Sequence, residues 1–169
     1  MIGFGQNVYI PDANFKAYLV GNSLINTNGD SEIQVSEATN FTGNITLFAG
    51  NPLYYPDLTG IEAFINLTSL ECSGNYITSL DLSQNTELTM LNCGFNQLTM
   101  LDLSQNTKLV SLDFRFNQLT SIDLSSNTDL IYLNCYTNLL TSLNLSQNIL
   151  LETLTCAFNQ ITSLNLSTN

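Results

Sequence analysis

Leu67, Leu88, Leu109, Leu130 and Leu151 follow one another at intervals of 21 residues, and each opens a segment built like the last. Residues 88–108, LTMLNCGFNQLTMLDLSQNTK, show the pattern: L-x-x-L-x-C-x-x-N, then L-x-x-L-x-L-x-x-N. A chain with a fixed period of this length stacks into coils, because one coil cannot bury its apolar face alone and the next supplies the missing wall. The half-length echo predicts two short strands per coil, with inward and outward residues alternating. At the roughly 4.8 Å spacing of neighbouring strands, identical positions become ladders. Asn75, Asn96, Asn117, Asn138 and Asn159 form one such column; Asn85, Asn106, Asn127, Asn148 and Asn169 form another. Asn suits a corner because its amide bonds backbone groups that a tight turn leaves unpaired. Both columns are expected to be structural.

Composition narrows what such a stack does. The 169 residues carry a net charge of -11, and Lys16, Lys108 and Arg115 are the only basic residues. Such a surface repels phosphate backbones and anionic lipid, so nucleic acid and membrane surfaces are poor partners. No apolar run approaches the roughly 20 residues of a membrane-spanning helix. His is absent, which removes imidazole bases and ligands, and Trp is absent too.

The L-x-x-L-x-C-x-x-N-x-L signature of residues 67–77 recurs in four successors, and it resembles the leucine-rich repeat family in its 21-residue form with nested half-repeats. The resemblance implies a leucine-rich repeat solenoid: mostly β, with parallel strands in stacked coils, a small helical N-terminal cap, and binding as its usual work. Residues 1–44 would be the cap, 45–66 a degenerate lead-in repeat of 22 residues, and 67–169 five repeats.

Cys72, Cys93, Cys135 and Cys156 share one inward column, in which Phe114 takes the remaining place. A metal needs ligands converging from several directions, whereas a column sets thiols in a line. Parallel in-register side chains also do not easily reach disulfide geometry. The cysteines are read as small hydrophobes, with Phe114 packed large against small between Cys93 and Cys135.

Residues 113–118, DFRFNQ, stand where other coils read NCGFNQ, NCYTNL and TCAFNQ. By the alternation, Phe95, Phe116 and Phe158 face outward, and with Arg115, Tyr132 and Tyr136 they make an exposed aromatic patch. Exposed apolar patches mark interaction surfaces, and Tyr, Phe and Arg are enriched at interface centres. Arg115 would offer the region's single positive charge to a carboxylate on the partner. Alternatively the rings fold over the coil's turn and merely shield it. On the second strand Asp81, Asp102, Asp123, Asn144 and Asn165 face outward, as solubilising charge or, less readily, a calcium-binding line. The column Thr78, Thr99, Thr120, Thr141 and Thr162 suits strands.

The first 44 residues do not repeat. Residues 10–24 predict a short helix started by Pro11 or Asp12, with Phe15, Tyr18 and Leu19 on one face. Set against the calcium loop D-x-[DN]-x-[DN]-G-x5-E, Asn26, Asn28, Asp30, Glu32 and Glu37 fall at ligand positions 1, 3, 5, 7 and 12. This resembles an EF-hand loop, departing from it at Asn26 in place of Asp and Ser31 in place of Gly. Bound calcium would be structural; the other reading is an ordinary loop in which Glu37 begins a short helix.

The cap, the loop and the 21-residue repeats together look like the N-terminal portion of secreted leucine-rich repeat proteins of the Bacteroidetes. That resemblance implies a secreted or cell-surface location, often with type IX secretion, and a signal peptide ahead of Gln6, although residues 1–12 have no signal-peptide character. The expected function is a non-enzymatic adhesion or binding module for a protein, peptide or surface glycan. A structural spacer or self-assembling surface component without its own ligand is the alternative. The stop at LNLSTN without a capping helix suggests a longer protein or end-to-end association.

Overall fold

The structure is a computed structural model, and it describes residues 5–48, 50 and 54–166. It is a right-through stack of coils whose first flank is a six-stranded parallel sheet in chain order. The strands are β1 (Asn44–Thr46), β2 (Ser69–Glu71), β3 (Met90–Asn92), β4 (Ser111–Asp113), β5 (Tyr132–Asn134) and β7 (Thr153–Thr155), with β6 (Ser142–Asn144) and β8 (Ser163–Asn165) paired separately. Leu70, Leu91, Leu112 and Leu133 pair in register and are buried, so the period places each Leu against its equivalent. Cys72, Cys93, Phe114 and Cys135 fill the next inward column, all fully buried. All four thiols are free. Burial pushes the Cys72 and Cys93 thiols well up and Cys135 up to about 12, so they stay protonated and pack as hydrophobes.

Two expectations need correction. The second half of each coil forms a strand only in the last two coils, as β6 and β8. In earlier coils a single backbone bond joins neighbours there, such as Gln97 N–H to Ile77 C=O and Gln118 N–H to Leu98 C=O. Past those bonds the coils separate. A crevice of about 330 Å³ opens between them, lined by Met100, Leu101, Asp102, Ile122 and Asp123. The lead-in coil is also longer than 22 residues: Asn44 pairs with Ser69, a separation of 25.

The cap begins with α1 (Ala13–Val20), whose N-cap Asp12 accepts the Phe15 N–H. Phe15 and Leu19 are buried from one face of α1, and the Tyr18 hydroxyl accepts the Thr46 N–H, tying α1 to β1. A second helix, α2 (Val35–Asn40), packs near the short 3-10 helix Ile61–Ala63, with Phe41 edge-on to Phe64 at 6.1 Å. The first coil is therefore covered. At the far end of the described chain, Leu164 and Leu166 stand exposed.

Candidate functional site

The first Asn column sets the geometry just beyond the sheet. The Asn96 amide donates to Cys72 C=O in the preceding coil and to Cys93 C=O in its own, while its Oδ1 accepts the Asn75 and Ile77 N–H groups. One and two coils on, Asn117 and Asn138 repeat both donations and accept the Leu98 and Leu119 N–H groups. To bring each Asn inward, the residue before it takes a left-handed conformation. Gly74 does so at φ 78°, and Phe95, Phe116, Thr137 and Phe158 do so at 52–57°. For a residue with a Cβ that conformation costs about 1 kcal/mol, and it points the side chain out of the coil.

The rings then meet. Phe95 and Phe116 stack with centroids 4.4 Å apart and planes 15° from parallel. Phe116 tilts against Tyr136 at 5.4 Å, and Tyr136 meets Phe158 at 5.0 Å. The period alone would leave a gap at Thr137; Tyr136, one residue earlier, reaches into it. Four rings thus run unbroken along four coils, with Phe95, Phe116 and Phe158 each more than a third exposed. Tyr132, half-buried on the outer face of β5, makes no ring contact with this ladder among the described residues.

Arg115 belongs to the same ladder, in a different role from the one its sequence position suggests. Its stem lies over Gly94, where an added Cβ would sit 3.2 Å from the Arg115 Cγ. Gly94 is thus the recess that lets Arg115 reach back one coil. The guanidinium carbon stands 5.2 Å from the Phe95 centroid, a cation–π contact. Nε is 3.7 Å from Asp113 Oδ2. Asp113, nearly buried on β4, also accepts the Arg115 N–H through Oδ1 and the Asn134 amide through Oδ2. The charge that the sequence reading offers to a partner's carboxylate thus has Asp113 beside it, while Nε itself makes no hydrogen bond. Asp113 and Gly94 were invisible to that reading, because their importance lies in a reach from one coil to its neighbour.

A second aromatic pair joins the lead-in coil to the first repeat, Tyr54 and Tyr76 at 4.8 Å. A bond with Tyr76 raises the Tyr54 hydroxyl's pKa. Tyr55, next to Tyr54, is buried edge-on to Tyr18.

The calcium-like loop is held by its own bonds. The Asn26 amide donates to Val20 C=O and Asp30 C=O, and its Oδ1 accepts the Gly29 N–H. Asn28 Oδ1 accepts the Asp30 N–H, and Asp30 Oδ1 accepts the Glu32 N–H. Glu32 turns to Lys16, 2.6 Å away. Glu37 stands in the first turn of α2, where Oε1 accepts the Thr27 and Asn28 N–H groups and Oε2 the Gln34 N–H. Burial pushes the Glu37 pKa up, but these bonds outweigh it and the net shift is down. As arranged, Glu32 pairs with Lys16 and both Glu37 oxygens accept backbone donors. No group of three or more His, Cys, Asp or Glu among the described residues could hold a metal ion.

Asp81, Asp102 and Asp123 are likewise occupied, each accepting the N–H two residues on, from Ser83, Ser104 and Ser125. No helix among the described residues is long and apolar enough to cross a membrane.

No protein-family model matches the chain, and no curated protein matches it. Solved structures do. Internalin C2 of Listeria monocytogenes is similar over 97% of this chain and 78% of its own, at 20% identity and a TM-score of 0.55. The leucine-rich repeat domain of APL1B is similar over 71% of this chain and 45% of its own, at 19% identity and a TM-score of 0.56. The fold is a leucine-rich repeat solenoid. A functional domain of InlJ from Listeria monocytogenes, which includes a cysteine ladder, is 29% identical over 97% of this chain, with a TM-score of 0.40. The chain spans 53% of that domain. Within the leucine-rich repeat frame, the aromatic ladder sits at the C-terminal edge of the sheet, on the residues that follow each strand.

Proposed function

We propose that the chain is a non-enzymatic binding module that takes a protein or peptide partner on the aromatic ladder Phe95, Phe116, Tyr136 and Phe158. The carrying observation is the left-handed backbone beneath three of the four rings. A coil folds with Gly74 at that position, so an aromatic there is not needed for the turn, and each costs strain while adding exposed apolar area. Exposed aromatic rings held on a rigid sheet edge are what interface anchors require. The chemistry on the surface favours binding over catalysis: the buried thiols stay protonated, and the Asp81, Asp102 and Asp123 carboxylates cap backbone.

Ring orientation favours a polypeptide over a surface glycan. Sugars pack on ring faces, and the near-parallel stack of Phe95 and Phe116 hides the facing sides of both rings. Edges and tilted junctions remain, which accept side chains. A secreted or cell-surface setting is part of this proposal and rests on the resemblance described above.

One observation favours a structural role instead. Phe95, Phe116 and Arg115 satisfy one another, as a self-contained strut would. The two readings separate in a displayed random-peptide selection against the wild-type chain, counter-selected on a folded Phe116→Ser/Phe158→Ser variant. Enriched peptides that bind the wild type and lose the variant are expected. A selection yielding only peptides indifferent to the substitution leaves the ladder as a strut.

A further inference from the structure

The polarity of the partner can be argued from where the charges go. The sequence holds three basic residues against 14 acidic ones, and each of the three has an acidic side chain beside it. Lys16 pairs with Glu32, Lys108 with Glu87 at 2.6 Å, and Arg115 with Asp113. An anionic partner would therefore meet a strongly negative field in which every cation already has an acidic neighbour. A cationic partner would be drawn in by that field.

The ladder also shows how it receives a cation. Arg115 lays its stem across Gly94 and its guanidinium against the Phe95 ring, with a carboxylate alongside. Among the described residues Tyr136 and Phe158 have no such internal cation, and they meet their neighbours at tilts of 56° and 63°, with no parallel stack on either. At the opposite ends of the neighbouring strands β5 and β7 lie the exposed Asp129 and Glu152.

Resting on the proposed ladder function, we infer that the partner is a basic polypeptide segment, whose Arg or Lys side chains meet the Tyr136 and Phe158 rings as Arg115 meets Phe95. A segment crossing from the ladder over Tyr132 toward Asp129 and Glu152 finds aromatic contact first and carboxylates beyond. Burying a guanidinium against a ring near acidic groups gains more than either contact alone, since the ring adds attraction without a desolvated counter-ion.

The test uses three labelled peptides of equal length and equal apolar content, carrying Arg, Gln or Glu at the same alternate positions, titrated by fluorescence anisotropy. The Arg peptide is expected to bind, to weaken about tenfold as salt rises from roughly 50 to 300 mM, and to lose about tenfold in affinity with Tyr136→Ser/Phe158→Ser. Circular dichroism confirms that the variant folds. Equal binding of the Gln peptide, or binding through the ladder that ignores salt, overturns the charge inference while leaving the ladder reading intact. Arg-peptide binding that survives the ring substitutions shows bulk attraction to an acidic protein and overturns both.

Discussion

Two Asn columns mark two corners of every coil, and the same residue does unequal work in them. At the corner after the sheet, Asn96 both donates across coils and accepts the Asn75 and Ile77 N–H groups. At the corner after the second segment, Asn106 donates to Leu82 and Asn85 carbonyls, yet its buried Oδ1 has no partner. Asn85 and Asn127 show the same pattern. The reason is local. Around the second corner the turn uses its own N–H groups, Asn106 to Leu103 and Leu109 to Asn106, so no donor is left for the amide oxygen. The comparison teaches that a conserved spacing fixes position, while the donors nearby decide how much an amide contributes.

The widest consequence is a difference in mutational cost between corners. Asn96→Ala strands two backbone donors and two or more carbonyls in a buried site and is expected to lose about 3–5 kcal/mol in urea unfolding. Asn106→Ala strands only carbonyls and removes an orphaned oxygen, so the expected loss is about 1–2 kcal/mol. Equal losses would break the distinction between the corners.

A smaller effect sharpens the sheet-side corner. Phe116→Gly relieves the left-handed strain that Phe116→Ala retains, while both lose the same stacked ring. The Gly variant is therefore expected to be the more stable by about 1 kcal/mol, the reverse of the usual helix or strand order. Thermal melts of the two proteins decide it, and an Ala variant equal to Gly would show that the backbone there is unstrained.

The smallest effect lies on the splayed flank. Hydrogen bonds from the Ser83, Ser104 and Ser125 N–H groups lower the pKa values of Asp81, Asp102 and Asp123. A carboxylate with a depressed folded pKa adds stability above its unfolded value of about 3.9 and loses it as pH falls through the folded value. Stability is expected to drop below about pH 4, and the drop should shrink in Asp102→Asn, whose side-chain oxygen still caps the turn. An acid limb unchanged in the triple Asn variant would place the titration elsewhere.

Much of this was readable from the chain. The 21-residue spacing named the buried Leu, the Cys column and Phe114, both Asn columns and the outward direction of Phe95, Phe116 and Phe158. Each follows from period and alternation, which are properties of order along the chain. The second strands failed because a pattern gives the inward face of a segment but not its distance from the next coil. The EF-hand-like spacing shows the same limit: it names Asn26, Asp30 and Glu37 in one loop, but not the N–H groups that their oxygens accept.

The candidate surface divides in the same way. Order along the chain determined that aromatic rings and one Arg would crowd a single edge of the solenoid, since identical positions in a regular coil must stack. Three-dimensional contact decided the rest: that Tyr136 closes the gap at Thr137, that Gly94 makes room for Arg115, and that Asp113 stands beside its guanidinium. Those outcomes depend on the reach of a side chain across one coil spacing, a length that no linear pattern encodes.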